Sequence, residues 1–160
     1  MRTDRNAIVL VLASVLLFGP AGAGMAQTVV RNGSVAAKPA PAANFTGRVT
    51  VQALTDATPP GQAGTAMVAF APGARSNWHT HPAGQTLYVT KGCGWTQEEG
   101  GTVARICQGD TLYVKAGVRH WHGATASTAM SHLAISEMRD GKNVVWLEPV
   151  TDAQFRGPTR

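Results

Sequence analysis

Five histidines are the residues best suited to chemistry in this sequence, and all lie between positions 79 and 132: His79, His81, His120, His122 and His132. His79-Thr80-His81 and His120-Trp121-His122 each set two imidazoles two residues apart. Side chains alternate along an extended strand, so each pair presents both rings to one face. Paired imidazoles on a common face suit a divalent metal such as Zn, Mn, Fe, Ni or Cu. A His-X-His pair alone is also what a solvated surface strand can carry, so the wider spacing has to decide.

That spacing is informative. Gly73 is followed after five residues by His79, then His81, then after three residues Gln85, and after six more Gly92. This resembles the first motif of the cupins. Gly109, Lys115, Gly117 and His120 are spaced like the second. The resemblance covers Gly73 to Ala124 and implies an all-β, single-domain, jelly-roll-like cupin barrel. It also implies one divalent metal, most simply Mn(II), with Fe(II), Zn(II) or Ni(II) as alternatives. The positions matching the ligands are His79, His81, Gln85 and His120.

Three positions depart from the pattern: Gln85 replaces the usual glutamate, Lys115 the usual proline and Ala124 the usual asparagine. Lys115 and Ala124 bear on turn shape. Gln85 bears on charge, because three neutral imidazoles and an amide leave a dication uncompensated. At about 5 Å and an effective dielectric near 20, one unit of charge is worth roughly 3 kcal/mol to a neighbouring anion. Such a site favours an incoming or developing anion such as cyanide, an alkoxide or an enolate.

Two histidines remain. His122 shares a strand face with His120 and is expected to point into the barrel, and His132 lies in the β-rich run Met130 to Met138. A neutral imidazole near a dication is a candidate base near neutral pH. A core histidine satisfied by a hydrogen bond is the plainer alternative for each.

A closer resemblance rests on Phe70 to Trp95, on His120 to Ala124 and on Met130 to Ile135. These stretches are similar to the bacterial cupin-type hydroxynitrile lyases. That family cleaves (R)-cyanohydrins such as mandelonitrile to an aldehyde and cyanide, with a manganese-type centre of three histidines and a glutamine. The resemblance implies a base at His132 and a substrate pocket including Ala66, Val68 and Ser136, while His122, on the strand face of His120, stays a second catalytic candidate. It implies a small-molecule substrate and a homo-oligomer. His132 would take the hydroxyl proton as the C–CN bond breaks beside the metal's charge. Trp78, Trp121 and Leu133 are candidate apolar walls, although each is also ordinary core material.

The elements that must position these residues are short strands. From Phe45 onward, runs rich in Val, Thr, Leu, Ile, Tyr and Trp alternate with Gly and Pro clusters. Expected strands are 47–54, 65–70, 86–90, 94–97, 103–107, 111–114, 120–123, 130–138 and 144–147, separated by turns at Ala71-Pro72-Gly73, Glu99-Gly100-Gly101 and Gln108-Gly109-Asp110. Many short strands at close spacing indicate a sandwich or barrel. Thr151 and Gln154 fit a capping box, so a short C-terminal helix is expected.

The N-terminal region reads differently. Arg2 and Arg5 precede an apolar run of 12 residues, Ala7 to Phe18, broken only by Ser14 and ended by Gly19-Pro20. Gly24-Met25-Ala26 then offers small residues at two positions, which completes a signal-peptide pattern over 1–26. The run is shorter than the roughly 20 residues of a membrane span. The mature chain is therefore expected in the periplasm or secreted, without a membrane segment. Residues 27–44, with Ala36-Ala37-Lys38-Pro39-Ala40-Pro41, read as a flexible linker, and 45–160 as the barrel domain.

Without the first 26 residues the chain carries 12 basic and 8 acidic residues, with no run of three basic ones. That argues against a nucleic-acid face, which needs clustered Lys and Arg. Cys93 and Cys107 flank a possible hairpin around Gly100. Export would allow a disulfide between them, but sequence leaves pairing and two buried thiols both open. Two other readings compete with the lyase. One is an Fe(II) dioxygenase, which oxygen consumption would reveal. The other is a non-catalytic periplasmic cupin binding a small molecule or metal, which would not need the extra inward histidines.

Overall fold

A computed structural model of the chain describes residues 27–58 and 60–157. The segment expected as a signal peptide, 1–26, lies outside the described residues. Twelve strands form one curled sheet: β1 (Lys38–Pro39), β2 (Phe45–Thr46), β3 (Val49–Thr55), β4 (Ala63–Phe70), β5 (Arg75–Ser76), β6 (His79–Thr80), β7 (Gln85–Glu98), β8 (Ala104–Cys107), β9 (Thr111–Val114), β10 (His120–Ala124), β11 (Met130–Glu137) and β12 (Val145–Trp146). The main order is β1-β3-β4-β11-β7-β10-β5-β2. All pairings between strands are antiparallel.

The longest strand, β7, joins the two halves of the barrel. Its first half pairs with β11 and β9, and its second half with β10 and β8. Between them Thr90 has no partner residue on β11, where Ser131 faces Lys91 and His132 faces Val89. A bulge of this kind bends a strand and lets it serve both halves. Sequence divided this strand at Lys91-Gly92-Cys93. The glycines there permit close packing rather than ending the strand. A Cβ on Gly94 would lie 2.1 Å from the Gly123 carbonyl oxygen, and one on Gly92 2.1 Å from that of Ala129. Only glycine lets the neighbouring backbone pass that close.

The interior divides into two apolar clusters. One gathers Val49, Val68, Phe70, Val89, Ile106 and Met130. The other gathers Trp78, Trp121 and Val150, with Trp95, Leu147 and Phe155 packed against them. The alternation in β4 and β11 explains the first cluster. Val68 and Phe70, like Met130 and His132, fall on the inward face, and their neighbours face out.

Two expectations about the chain ends are corrected. The described residues contain no helix. The capping hydrogen bonds do form, from Thr151 N to Gln154 Oε1 (2.9 Å) and from Gln154 N to Thr151 Oγ1 (3.2 Å). They close a single turn, because Gly157-Pro158 follows after only Phe155 and Arg156 and a glycine-proline step stops a helix. Arg75 holds this turn, donating to the Val150 carbonyl (3.1 and 2.9 Å) and to Asp152 (2.6 Å). At the other end, part of the expected linker is built into the fold. Lys38 and Pro39 pair with Val51 and Thr50, and Gln52 donates to the Val35 carbonyl at 2.7 Å.

Cys93 and Cys107 face each other across β7 and β8 and form a disulfide. The two cysteines are 14 positions apart in sequence, so the crosslink closes a short loop. Chain-entropy arguments assign about 3 kcal/mol to a loop of that size. Cys93→Ser together with Cys107→Ser is therefore expected to lower the melting temperature by several degrees without changing the fold. Alkylation of the denatured, unreduced parent should find no free thiol, and two reactive thiols per chain would contradict the pairing.

Candidate metal centre

Three short elements converge at one end of the barrel. On β6, His79 lies directly opposite His120 of β10 and, on its other side, opposite Trp146 of β12. His81 follows β6 and begins a tight turn, in which Gly84 N donates to the His81 carbonyl (3.2 Å). Gly84 has φ 88°, a left-handed conformation that glycine adopts without cost, and its Cβ position would lie 2.9 Å from the Val114 carbonyl oxygen. That reversal delivers Gln85 as the first residue of β7, opposite Ser136 of β11.

The four residues singled out by spacing are brought together and buried, with exposures of 1% (His79), 4% (His81), 6% (Gln85) and 1% (His120). Ring centroids are 4.2 Å apart for His79–His120, 5.2 Å for His79–His81 and 5.6 Å for His81–His120. Each of these three rings has Nδ1 against a backbone carbonyl. The partners are Asn77 for His79 (2.9 Å), Asn143 for His81 (2.5 Å) and Val118 for His120 (3.1 Å). A carbonyl only accepts, so Nδ1 carries the proton and Nε2 keeps a free lone pair. Anchoring of this sort is what orients metal-binding imidazoles.

The donor set fits a cation on two further observations. His81 Nε2 is buried with no hydrogen-bond partner. His120 Nε2 lies 3.4 Å from Gln85 Oε1. In the tautomer fixed by Val118 both of those atoms are acceptors, and neither can donate to the other. A positive ion between them resolves the conflict. His79, His81, Gln85 and His120 would hold it.

His122 and His132 form a second pair beside this set. Their ring centroids are 4.9 Å apart, and both nitrogens of each ring are buried without a hydrogen-bond partner. The ring nitrogens of His79, His120 and His122 come within 4.8 Å of one another. His122 lacks the carbonyl anchor that the other two share, so proximity alone does not make it a ligand.

Burial sets the protonation of all five rings. It pushes His120 and His132 down to about 4, and it holds His81 below the ordinary imidazole value. His79 and His122 lie well below that value, through burial first and neighbouring histidines second. Neutral imidazoles with free lone pairs are what both metal binding and proton acceptance need.

A cavity of about 720 Å³ opens onto the centre, lined by His79, His81, Gln85, His122 and His132. Ala66, Val68 and Ser136 line it as well. Of the expected apolar walls, none does. Trp78 and Trp121 belong to the second apolar cluster, and Leu133 alternates with His132 toward the outer face. The aromatic wall comes instead from Phe45 and Trp146, whose rings meet edge to face at 5.2 Å. Trp146 also packs on His79 at 4.9 Å. Residues 38–41 complete the rim. Both aromatic residues lie outside the histidine motifs, and only the apolar character of Phe45 and of 144–147 hinted at them.

A strand barrel that clusters histidines from two His-X-His segments at its mouth defines a cupin, and residues 66–136 match the Cupin domain family model. The chain belongs to the cupin family. It is 53% identical over 128 residues to an (R)-mandelonitrile lyase from Granulicella tundricola, spanning 80% of this chain and 98% of that one. A crystal structure of a cupin-like protein from Thermotoga maritima superposes with a TM-score of 0.70 at 37% identity, covering 74% of this chain and 90% of that chain. An acireductone dioxygenase from Trichormus variabilis is 31% identical over 84 residues, which span 50% of this chain and 44% of that one.

Proposed function

We propose that this protein is a metal-dependent hydroxynitrile lyase, cleaving (R)-cyanohydrins such as mandelonitrile to an aldehyde and cyanide. The observation that carries the reading is the unpartnered pair His122 and His132, buried beside three carbonyl-anchored histidines in one cavity. A passive metal carrier has no use for two further imidazoles with free lone pairs. The (R)-mandelonitrile lyase relative, matched over nearly its whole length, supports the same reaction.

The chemistry assigns roles to the residues. His79, His81, Gln85 and His120 would hold one divalent ion, Mn(II) on the resemblance to the hydroxynitrile lyases, with Fe(II), Zn(II) and Ni(II) as competitors that three imidazoles also suit. When bound, the ion supplies uncompensated positive charge toward the anion the reaction releases. His132 accepts the hydroxyl proton of the cyanohydrin. The C–CN bond breaks with its electron pair on carbon of the cyanide, and the carbonyl double bond forms. The imidazolium then returns the proton to the cyanide. Small side chains at Ala66 and Val68 leave room for the substrate, and Phe45 with Trp146 offers an aromatic wall for an aryl group. Export through the 1–26 segment and assembly into a homo-oligomer complete the proposal.

Metal analysis of the purified protein, followed by cyanide release from racemic mandelonitrile, tests the reading. Release selective for the (R)-enantiomer is expected. Oxygen consumption in place of cyanide would favour a dioxygenase, and metal binding without turnover a carrier. Gln85→Glu probes the charge argument. It should keep or tighten the ion, yet weaken cyanide and cut turnover by up to about a hundredfold, the worth of one charge unit at this range. Normal cyanide affinity and turnover in that variant would remove charge as the reason for the amide.

A further inference from the structure

Each histidine of the proposed ligand set is oriented by a backbone carbonyl, through Asn77, Asn143 and Val118. Gln85 has no such anchor. Its amide nitrogen instead donates to the hydroxyl of Ser136 at 3.2 Å. The two residues face each other directly across β7 and β11, and both are buried, at 6% and 8% exposure.

We infer that Ser136 is a positioning residue for the metal centre, holding the Gln85 amide with its oxygen toward the ion, rather than only a wall of the substrate pocket. The inference rests on the metal reading proposed above. An amide that gives its oxygen to a cation must turn its NH2 group the other way. The side chain is 6% exposed, and a buried donor left without an acceptor is costly. Ser136 Oγ is the acceptor the structure provides. Gln85 Oε1 accordingly faces His120 Nε2, 3.4 Å away, where the lone pairs of both converge. The resemblance to hydroxynitrile lyases places Ser136 beside the substrate. The hydrogen bond gives it a task that exists before any substrate enters.

Mn(II) affinity of the full chain, measured by competition with a chelator, separates the two roles. Ser136→Ala is expected to weaken Mn(II) by about 10- to 100-fold, the usual effect of removing a group that orients a ligand. The melting temperature of the metal-free protein should stay near that of the parent, and Ser136→Thr, which keeps the hydroxyl, should restore most of the affinity. An affinity within about threefold of the parent in Ser136→Ala would overturn the inference, and a raised KM beside it would assign Ser136 to the substrate alone. A loss of affinity matched by an equal fall in metal-free stability, and not restored by threonine, would overturn it too, as a packing defect. If the parent itself bound no divalent ion, the metal reading would fail first, which is a different result from a parent that binds and a variant that binds equally well.

Discussion

Replacing His79 by alanine is expected to remove the divalent ion and abolish cyanide release together. The ring is 1% exposed, its Nδ1 is fixed by the Asn77 carbonyl, and His120 stands directly across the strand pair. Four protein donors surround the proposed ion, so losing one of the imidazoles leaves a set too weak to compete with buffer. The ring also packs against Trp146, so the metal-free melting temperature of the variant must be measured beside its metal content. A matched pair sharpens the test. By proximity alone, His122 could take a ligand's place with His79 and His120. By anchoring, the third histidine is His81, whose Nδ1 meets the Asn143 carbonyl and whose Nε2 is free. His81→Ala should therefore lose the ion and His122→Ala should retain it. The reverse result would move the centre one ring deeper into the barrel. Full metal occupancy in His79→Ala with normal turnover would refute the ligand set altogether.

The gathering of the site was legible because the residues that build it are local in sequence. His79, His81 and Gln85 lie on one short strand, the turn that follows and the first position of the next strand, and glycines stand at set distances from them. His120 adds one long-range contact, and an antiparallel strand pair delivers it. The strands were legible where one face is buried and the other wet, as in β4 and β11, because alternation then appears in the residue types. The same logic failed for β10. All five of its residues are buried, so only the position of Trp121 between two histidines, and not any contrast of residue types, put it on the opposite face, where it packs in the second apolar cluster.

Other features depend on contacts that no local pattern carries. Gly92 and Gly94 look like a turn, and only the approach of β10 and of Ala129 shows that they keep β7 continuous. The segment before Phe45 looks like a linker by composition, since alanine and proline bury little area. It is held by backbone pairing to β3, which composition does not encode. The carbonyls that anchor the imidazoles are equally silent, because every residue has one. Asn143 is 62 positions from the ring it orients. The C-terminal cap was read correctly as hydrogen bonds and wrongly as a helix, since a cap starts a helix only when the next residues can continue it.

His132→Ala is the variant that separates binding from chemistry. His132 lies outside both glycine-histidine motifs, on β11, where it faces Val68 and Val89. It is fully buried, lines the cavity, and has no hydrogen bond on either nitrogen. Burial pushes its pKa down to about 4, so the ring is neutral at pH 7 with its lone pair free, at some cost in basicity. Loss of a general base typically costs about 10²- to 10⁴-fold in rate. Turnover of (R)-mandelonitrile should fall by that factor while the ion stays bound at full stoichiometry. The ring also touches Phe70 and His122, with centroids 5.6 and 4.9 Å away, so its removal leaves a hole and some stability will be lost. Assaying well below the melting temperature keeps that loss out of the rate. His122→Ala, carried in parallel, decides which of the two rings takes the proton. If His132 is the base, its variant suffers the large loss and the His122 variant a smaller one. A large loss confined to His122→Ala would transfer the role to the neighbouring ring. Unchanged turnover in both would leave the unpartnered pair without a part in the reaction and would remove the observation on which the lyase assignment stands.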